Sequence, residues 1–339
     1  AGETVRGFDS DPESLARAAE HSGLTPSSTL EGCVAGATVV FVCTPIPALS
    51  GLVAEVLGLA PDAIVTDVGS VKSQVMADVV ARADPSHLER YIGGHPMGGS
   101  ERSGPDHASA SILDGAVWVL CPSDPVPVAS VARLSAWVDK VGARPTPMDA
   151  ERHDRLVAMV SHLPQVASTA LMGLAAAEEA GEPEILLLAA GGFRDLTRLA
   201  ASSPHLWSDI LLANGDAIVR AVDLYIERLT RLRTLIGQRE AGEVERAFGD
   251  AKQARLSLAA KPQVKAGVAV LQVPVPDRPG VLAEVTATMS EAGVNIEDLQ
   301  IVHSPEGGRG TVHLTVASGA AEDAELALRE RWFEPLRLA

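Results

Sequence analysis

The segment Gly93-Gly-His95-Pro-Met-Gly-Gly-Ser-Glu101-Arg-Ser-Gly104 places five glycines around one histidine, one glutamate and one arginine in twelve residues. Such a stretch has few side chains with which to build a core, and glycine lets backbone approach a ligand closely. An imidazole titrates near neutrality, so His95 is the candidate proton acceptor. Ser161-His162-Leu-Pro-Gln165 sets a second histidine beside a proline in a helical context, where packing or capping is the plainer reading. Gly191-Gly-Phe-Arg194-Asp195-Leu-Thr-Arg198 puts two arginines four residues apart, on one helix face. A guanidinium grips a carboxylate bidentately, although a solvated charged face is the ordinary explanation of such a pair. His107, His153 and His205 lack comparable context and read as surface or packing residues. No cluster has metal-ligand spacing, and no nucleophile motif points to a hydrolase.

Short apolar runs must position these residues. Strand candidates at 4–9, 37–44, 63–68, 91–94 and 116–121 alternate with helical stretches at 11–21, 48–59, 71–83 and 128–141. The strands are rich in Val and Ile without strict alternation, which suits burial on both faces. This alternation predicts an α/β Rossmann-like domain over 1–150, doubly wound and mainly parallel. Ligands in such sheets bind at the carboxyl ends of strands. Thr44-Pro45 and Asp67-Val-Gly-Ser70 end consecutive strands, and the helix start at Ser70 would offer N–H groups and a hydroxyl to an anion or ribose. The glycine turn GxGxxG expected after a first strand does not occur in this sequence. The chain opens instead on what reads as a second strand, ending at Asp9, where an acid would bind the ribose 2′-hydroxyl of NAD. Either the first strand and turn lie upstream of this sequence, or the domain is degenerate.

From 151 to 262 strand signals vanish and Ala, Leu and Arg recur at helical spacing, with a kink expected at Pro164. This predicts an all-α domain whose seam of Leu224, Ile226, Leu229, Leu232 and Leu235 serves either intrachain packing or a dimer contact. After a short linker, 268–339 reads strand, helix, strand, strand, helix, an α+β ferredoxin-like module.

The 339 residues suit two or three domains. A net charge of −16 and 3% aromatic residues argue against nucleic-acid binding, and no membrane partner is expected because no uncharged apolar run approaches a span. Cys33, Cys43 and Cys121 read as buried thiols, and the N-terminal stretch lacks signal-peptide features, so a cytoplasmic location is expected.

In order along the chain, DVGSVK at 67–72, GGHPMGGSERSG at 93–104, SHLPQ at 161–165 and GGFRDLTRLA at 191–200 closely resemble the prephenate dehydrogenase family of tyrosine biosynthesis. The tail resembles an ACT domain, through Asp277-Arg-Pro-Gly280 and Gly293-Val-Asn-Ile296. The resemblance implies NAD-dependent oxidative decarboxylation of prephenate to 4-hydroxyphenylpyruvate. It implies His95 as catalytic base with Ser70 holding the geometry. Arg198 would hold a substrate carboxylate, with His162, Asp195, Glu101 and Trp207 completing the pocket. NAD would lie along Asp9, Thr44, Pro45 and Ser70. Tyrosine or phenylalanine would bind the ACT domain at Asp277, Arg278, Gly280 and Asn295, in a homodimer paired through the helical domain. Two alternatives stay open: an arogenate dehydrogenase, and a catalytically inactive ACT-containing amino-acid sensor.

Overall fold

The computed structural model describes residues 3–98, 104–179, 181–260, 268–276, 278–303 and 309–338. Glu101 and Asp277 lie outside the described residues. The chain folds as two compact units, Ala1–Ala241 and Gly242–Ala339.

The first unit opens with a parallel βαβ hairpin of β1 (Arg6–Gly7), α1 (Pro12–Ser22) and β2 (Thr25–Pro26). Asp11 caps α1 by accepting from the N–H groups of Glu13 and Ser14, and Gly23 ends it in the left-handed region. The chain continues through α2 (Leu30–Val34), β3 (Val39–Val42), α3 (Ile46–Leu59), β4 (Ile64–Asp67), α4 (Ser73–Arg82), β5 (Tyr91–Pro96), β6 (Val117–Cys121), α5 (Val128–Lys140) and β7 (Arg144–Pro147). Strands β3 to β7 form one sheet in sequence order. Its neighbours run parallel except β5 and β6, which are antiparallel. The orders β2-β1 and β3-β4-β5 match the two flanks of a doubly wound 3-2-1-4-5-6 sheet. The strand of position 1, which carries the glycine turn, has no counterpart in this sequence. Strands β2 and β7 escape sequence reading because prolines interrupt them, and proline is tolerated at sheet edges such as these.

Side chains alternate across the five-stranded sheet, so successive residues enter opposite cores. Val65, Tyr91, Val119 and Cys121 pack with Leu49, Val53, Val75 and Val79 of α3 and α4. Ile64, Ile92, Trp118 and Leu120 pack with Leu134 and Val138 of α5 on the other face. Of the three thiols expected to be buried, only Cys121 is; Cys33 is half-buried and Cys43 exposed, beyond the last residue of β3.

The helical part comprises α6 (Ala150–Val157), a π-helical turn (Ala158–His162), α7 (Leu163–Glu179), α8 (Glu184–Leu187), α9 (Gly191–Thr197), α10 (Pro204–Ala213) and α11 (Gly215–Gln238). The irregularity expected at Pro164 falls just before it as the π turn, since proline brings no N–H to the preceding turn and its ring crowds that turn's carbonyl. By length and composition the run Ala150–Glu179 is long and apolar enough to cross a membrane, contrary to the expectation that no stretch approached this. Its buried His153, Asp154, His162 and Gln165 each find partners within the protein.

The second unit begins within the first turn of α12 (Ala241–Ala260) and holds β8 (Val268–Pro276), α13 (Val281–Glu291), β9 (Ile296–His303), β10 (Arg309–Ala317), α14 (Ala321–Glu330) and β11 (Leu336–Leu338). The expected βαββα order gains a last strand, β11, which pairs with β8 and gives the antiparallel order β11-β8-β10-β9. At three residues β11 is too short to show periodicity.

Candidate active site

Strand β4 ends at Asp67, whose carboxylate is wholly buried and fully used. It pairs with the equally buried Lys72 ammonium and accepts from Gly69 N (2.8 Å) and Tyr91 Oη (2.8 Å). Lys72 Nζ also donates to Gly94 O at 2.7 Å. This network ties the end of β4 to β5. Gly94 is required there, because a Cβ would fall 2.4 Å from Asp67 O and 3.0 Å from Trp118 Nε1. Directly after it, and held in register opposite Val119 of β6, comes His95.

His95 Nδ1 lies 2.8 Å from Nε2 of His153, and His153 Nδ1 lies 2.8 Å from Asp154 Oδ1. The two imidazoles meet edge-on, 5.0 Å between centroids. Asp149 caps α6 through the N–H of Arg152 and so fixes the helix that carries His153 and Asp154. The Asp154 carboxylate reaches across to α4, accepting from Lys72 N (2.9 Å) and Ser73 N (2.8 Å). Helix α4 therefore starts at Ser73, and its first N–H groups are taken by Asp154. The expectation of free N–H groups at Ser70 for an anion is corrected accordingly. Burial pushes the Asp154 carboxyl up, but hydrogen bonds from His153, Lys72 N and Ser73 N outweigh it and hold the group below the usual carboxylate range.

Burial lowers the His95 pKa to about 3, with His153, Lys72 and His162 adding to the effect and Asp154 opposing it. His95 is thus a neutral imidazole at neutral pH. His162 sits in the π turn, where Asn214 Nδ2 donates both to Asp154 O (2.9 Å) and to His162 Nδ1 (3.2 Å). With Nδ1 occupied as acceptor, the neutral ring carries its hydrogen on Nε2 and presents a donor. Burial lowers its pKa to about 4. Trp207 of α10 packs edge-on to this ring at 5.9 Å. Gln165, one turn further along, donates to Leu199 O at 2.8 Å, and Ser168 accepts from Ala200 N at 3.1 Å. These bonds anchor the turn Arg198–Ala201 to α7.

The structure therefore groups His95 and His162 and sets Trp207 edge-on against the latter. Arg198 and Asp195 are exposed, and among the described residues neither side chain has a hydrogen-bond or ion-pair partner. His153 and Asp154, adjacent in sequence and next to His95 in space, were missed. The adjacency of a histidine and an aspartate in an amphipathic helix was the available signal, but it does not distinguish a relay from a charged surface.

On the opposite edge, Thr44 follows β3 with its hydroxyl buried and without a partner, an orphan of the kind a bound dinucleotide would satisfy. Asp9 Oδ1 accepts from Asp11 N at 2.8 Å and is exposed after β1. Pro45 begins the turn into α3, and Ser70 lies half-buried after β4. In the second unit a cavity of about 200 Å³ is lined by Val275, Arg278, Gly280, Leu282, Ile301 and Gly310, among others. Arg278 is paired there with Glu284 at 2.8 Å. Asn295, expected at this site, turns its amide to Glu297 (2.9 Å) and does not line the cavity.

A doubly wound domain joined to a helical one, with a neutral histidine held between them and nucleotide-type strand ends beside it, defines a dinucleotide-dependent dehydrogenase. The chain belongs to the prephenate dehydrogenase family. Residues 1–146 match the family's nucleotide-binding domain, 149–250 its dimerization domain, and 269–331 an ACT domain. The prephenate dehydrogenase of Bacillus subtilis is 33% identical over 86% of this chain and 78% of its own length. The cyclohexadienyl dehydrogenase of Zymomonas mobilis is 34% identical over 68% of this chain and 78% of its own. Among solved structures, A. aeolicus prephenate dehydrogenase in complex with hydroxyphenyl propionate and NAD+ superposes with a TM-score of 0.70 at 26% identity, over 75% of this chain and 89% of that one. Synechocystis arogenate dehydrogenase gives 0.65 at 27% identity, over 76% and 92%.

Proposed function

We propose that this chain catalyses the NAD-dependent oxidative decarboxylation of prephenate to 4-hydroxyphenylpyruvate. The observation that carries the reading is His95, a neutral imidazole fixed through Nδ1, with Nε2 left to receive a proton. Asp9, Thr44, Pro45 and Ser70 would hold NAD, which when bound takes hydride from C4 of the cyclohexadiene ring. His95 withdraws the 4-hydroxyl proton as the C4–H pair departs, so C4 becomes a carbonyl. The electron pair of the bond from C1 to its carboxylate then enters the ring, CO2 leaves, and the ring becomes aromatic. The phenolate oxygen takes the proton back from His95, so no net proton is released. Ser70 assists in holding the reacting hydroxyl. His162 offers its Nε2–H to a substrate oxygen, Trp207 supports that ring, and Arg198 holds a carboxylate, with Asp195 and Glu101 as polar wall.

The ACT cavity takes an aromatic amino acid as effector, its apolar lining supporting that class. The chain acts as a homodimer. Leu224, Ile226 and Leu229 of the seam are each about half exposed, which supports a dimer contact, while Leu232 and Leu235 are half-buried within the chain. Full-length protein assayed for NADH formation with prephenate and arogenate side by side tests the activity. Turnover of prephenate is expected. Turnover of arogenate alone would make the enzyme an arogenate dehydrogenase, and turnover of neither would favour a sensor.

A further inference from the structure

A proton acceptor is useful only if its lone pair faces the substrate, and a neutral imidazole has two tautomers to choose between. The partners of His95 decide the choice. Asp154 accepts from two backbone N–H groups and is held ionised, so it is an acceptor only. The nitrogen of His153 facing it, Nδ1, must therefore carry hydrogen. That leaves His153 Nε2 as a lone pair, and its partner, His95 Nδ1, must donate to it. His95 is left with Nε2 unprotonated. Both His153 and Asp154 are buried, at 1% and 4% exposure, so water does not compete for these bonds.

We propose that Asp154 and His153 form a relay that sets the tautomer of His95 and steadies the imidazolium it becomes during turnover. The proposal rests on His95 being the base. When the 4-hydroxyl proton arrives at Nε2, the Nδ1–H already points at His153, and the carboxylate of Asp154 lies one ring beyond. No proton needs to leave His95 along the relay; the field of the ionised carboxylate, carried by two aligned hydrogen bonds, stabilises the positive charge. His153 is a positioning residue, since it acts through His95. Asp154 has a second role: the same carboxylate caps α4, so the bond that orients the relay also fastens α6 to the end of the nucleotide-type sheet.

The tautomer is measurable without turnover. In full-length protein labelled with 15N-histidine, the His95 resonances are assigned by their loss in His95→Asn. They are expected to show protonated Nδ1 and unprotonated Nε2, and in His153→Leu to shift towards the Nε2–H form. Kinetically, His153→Leu is expected to lower kcat by at least roughly 10-fold, a mis-set tautomer costing up to about 10⁴-fold, with KM within about threefold. His153→Gln, whose amide oxygen can accept the same Nδ1–H, should recover most of the loss. A wild-type His95 protonated on Nε2 overturns the relay, as does full kcat in His153→Leu or a Gln variant no better than Leu. Should the Leu variant fail to fold, the wild-type tautomer and the Gln variant still decide. If His95→Asn itself retains turnover, the base assignment fails instead, whatever the tautomer.

Discussion

Replacing His95 with Asn keeps a hydrogen-bonding group at the site but removes the proton acceptor. We expect kcat to fall by roughly 10²–10⁴-fold with substrate affinity little changed; near-normal kcat at neutral pH would show that another group takes the proton. Arg198 lies exposed on a turn anchored to α7 by Gln165 and Ser168. If it holds a carboxylate, Arg198→Ala should raise KM by roughly 10- to 100-fold, the effect of a charge-assisted bond of about 1.5–3 kcal/mol. An unchanged KM in a folded variant would return it to a solvated face. The depressed pKa values of His95 and His162, about 3 and about 4, also bear on stability. Below an ordinary histidine value near ~6.5, the unfolded chain binds protons that the folded chain refuses. Their contribution is therefore intact above that pH and is lost as pH falls through the window down to about 4 for His162 and about 3 for His95. Urea midpoints should drop from pH 7 to pH 5, and equal midpoints would mean these rings are not held neutral.

The end of β4 and the start of α4 form the element on which the site depends. Lys72 and Asp67 are both inaccessible, and Asp67 also takes hydrogen bonds from Gly69 and Tyr91. Removing one charge of a buried pair strands the other. Lys72→Met should therefore destabilise the first unit by about 3–5 kcal/mol, while the double change to Met and Leu costs much less. Chemical denaturation of the two variants makes the comparison, and equal losses would place the effect in packing rather than charge. The π turn at Ala158–His162 belongs to the same scale. It shifts the register between His153 and His162, letting one helical run serve His95 from α6 and Trp207 from the π turn.

At the scale of the whole molecule, the ACT module has its own core, with Leu271, Val285, Met289, Leu314 and Leu328 inaccessible. It contributes none of the residues assigned to catalysis. A chain ending after residue 266 should keep measurable turnover and lose inhibition by tyrosine. Inhibition assays on both lengths are the check; equal inhibition would identify tyrosine as a product analogue in the active site.

The sequence by itself determined the alternation of buried strands and helices, the separate tail, and the glycine-framed His95. These features are local: periodicity, caps and turn residues act within a few positions. The family motifs, likewise local, named the surroundings of His95, His162 and Arg198. Three things waited for the tertiary structure. Strands β2, β7 and β11 are too short or too proline-rich to show a period and exist because neighbouring strands pair with them. The helix start expected at Ser70 falls at Ser73, where the N–H groups of Lys72 and Ser73 are taken by Asp154, 82 residues from Lys72 in the chain. And His153, a surface or packing residue by sequence, becomes the partner of His95, 58 residues away. Whether a polar side chain is solvated or buried against a base depends on which elements meet, and contact between distant segments leaves no periodic trace in either one.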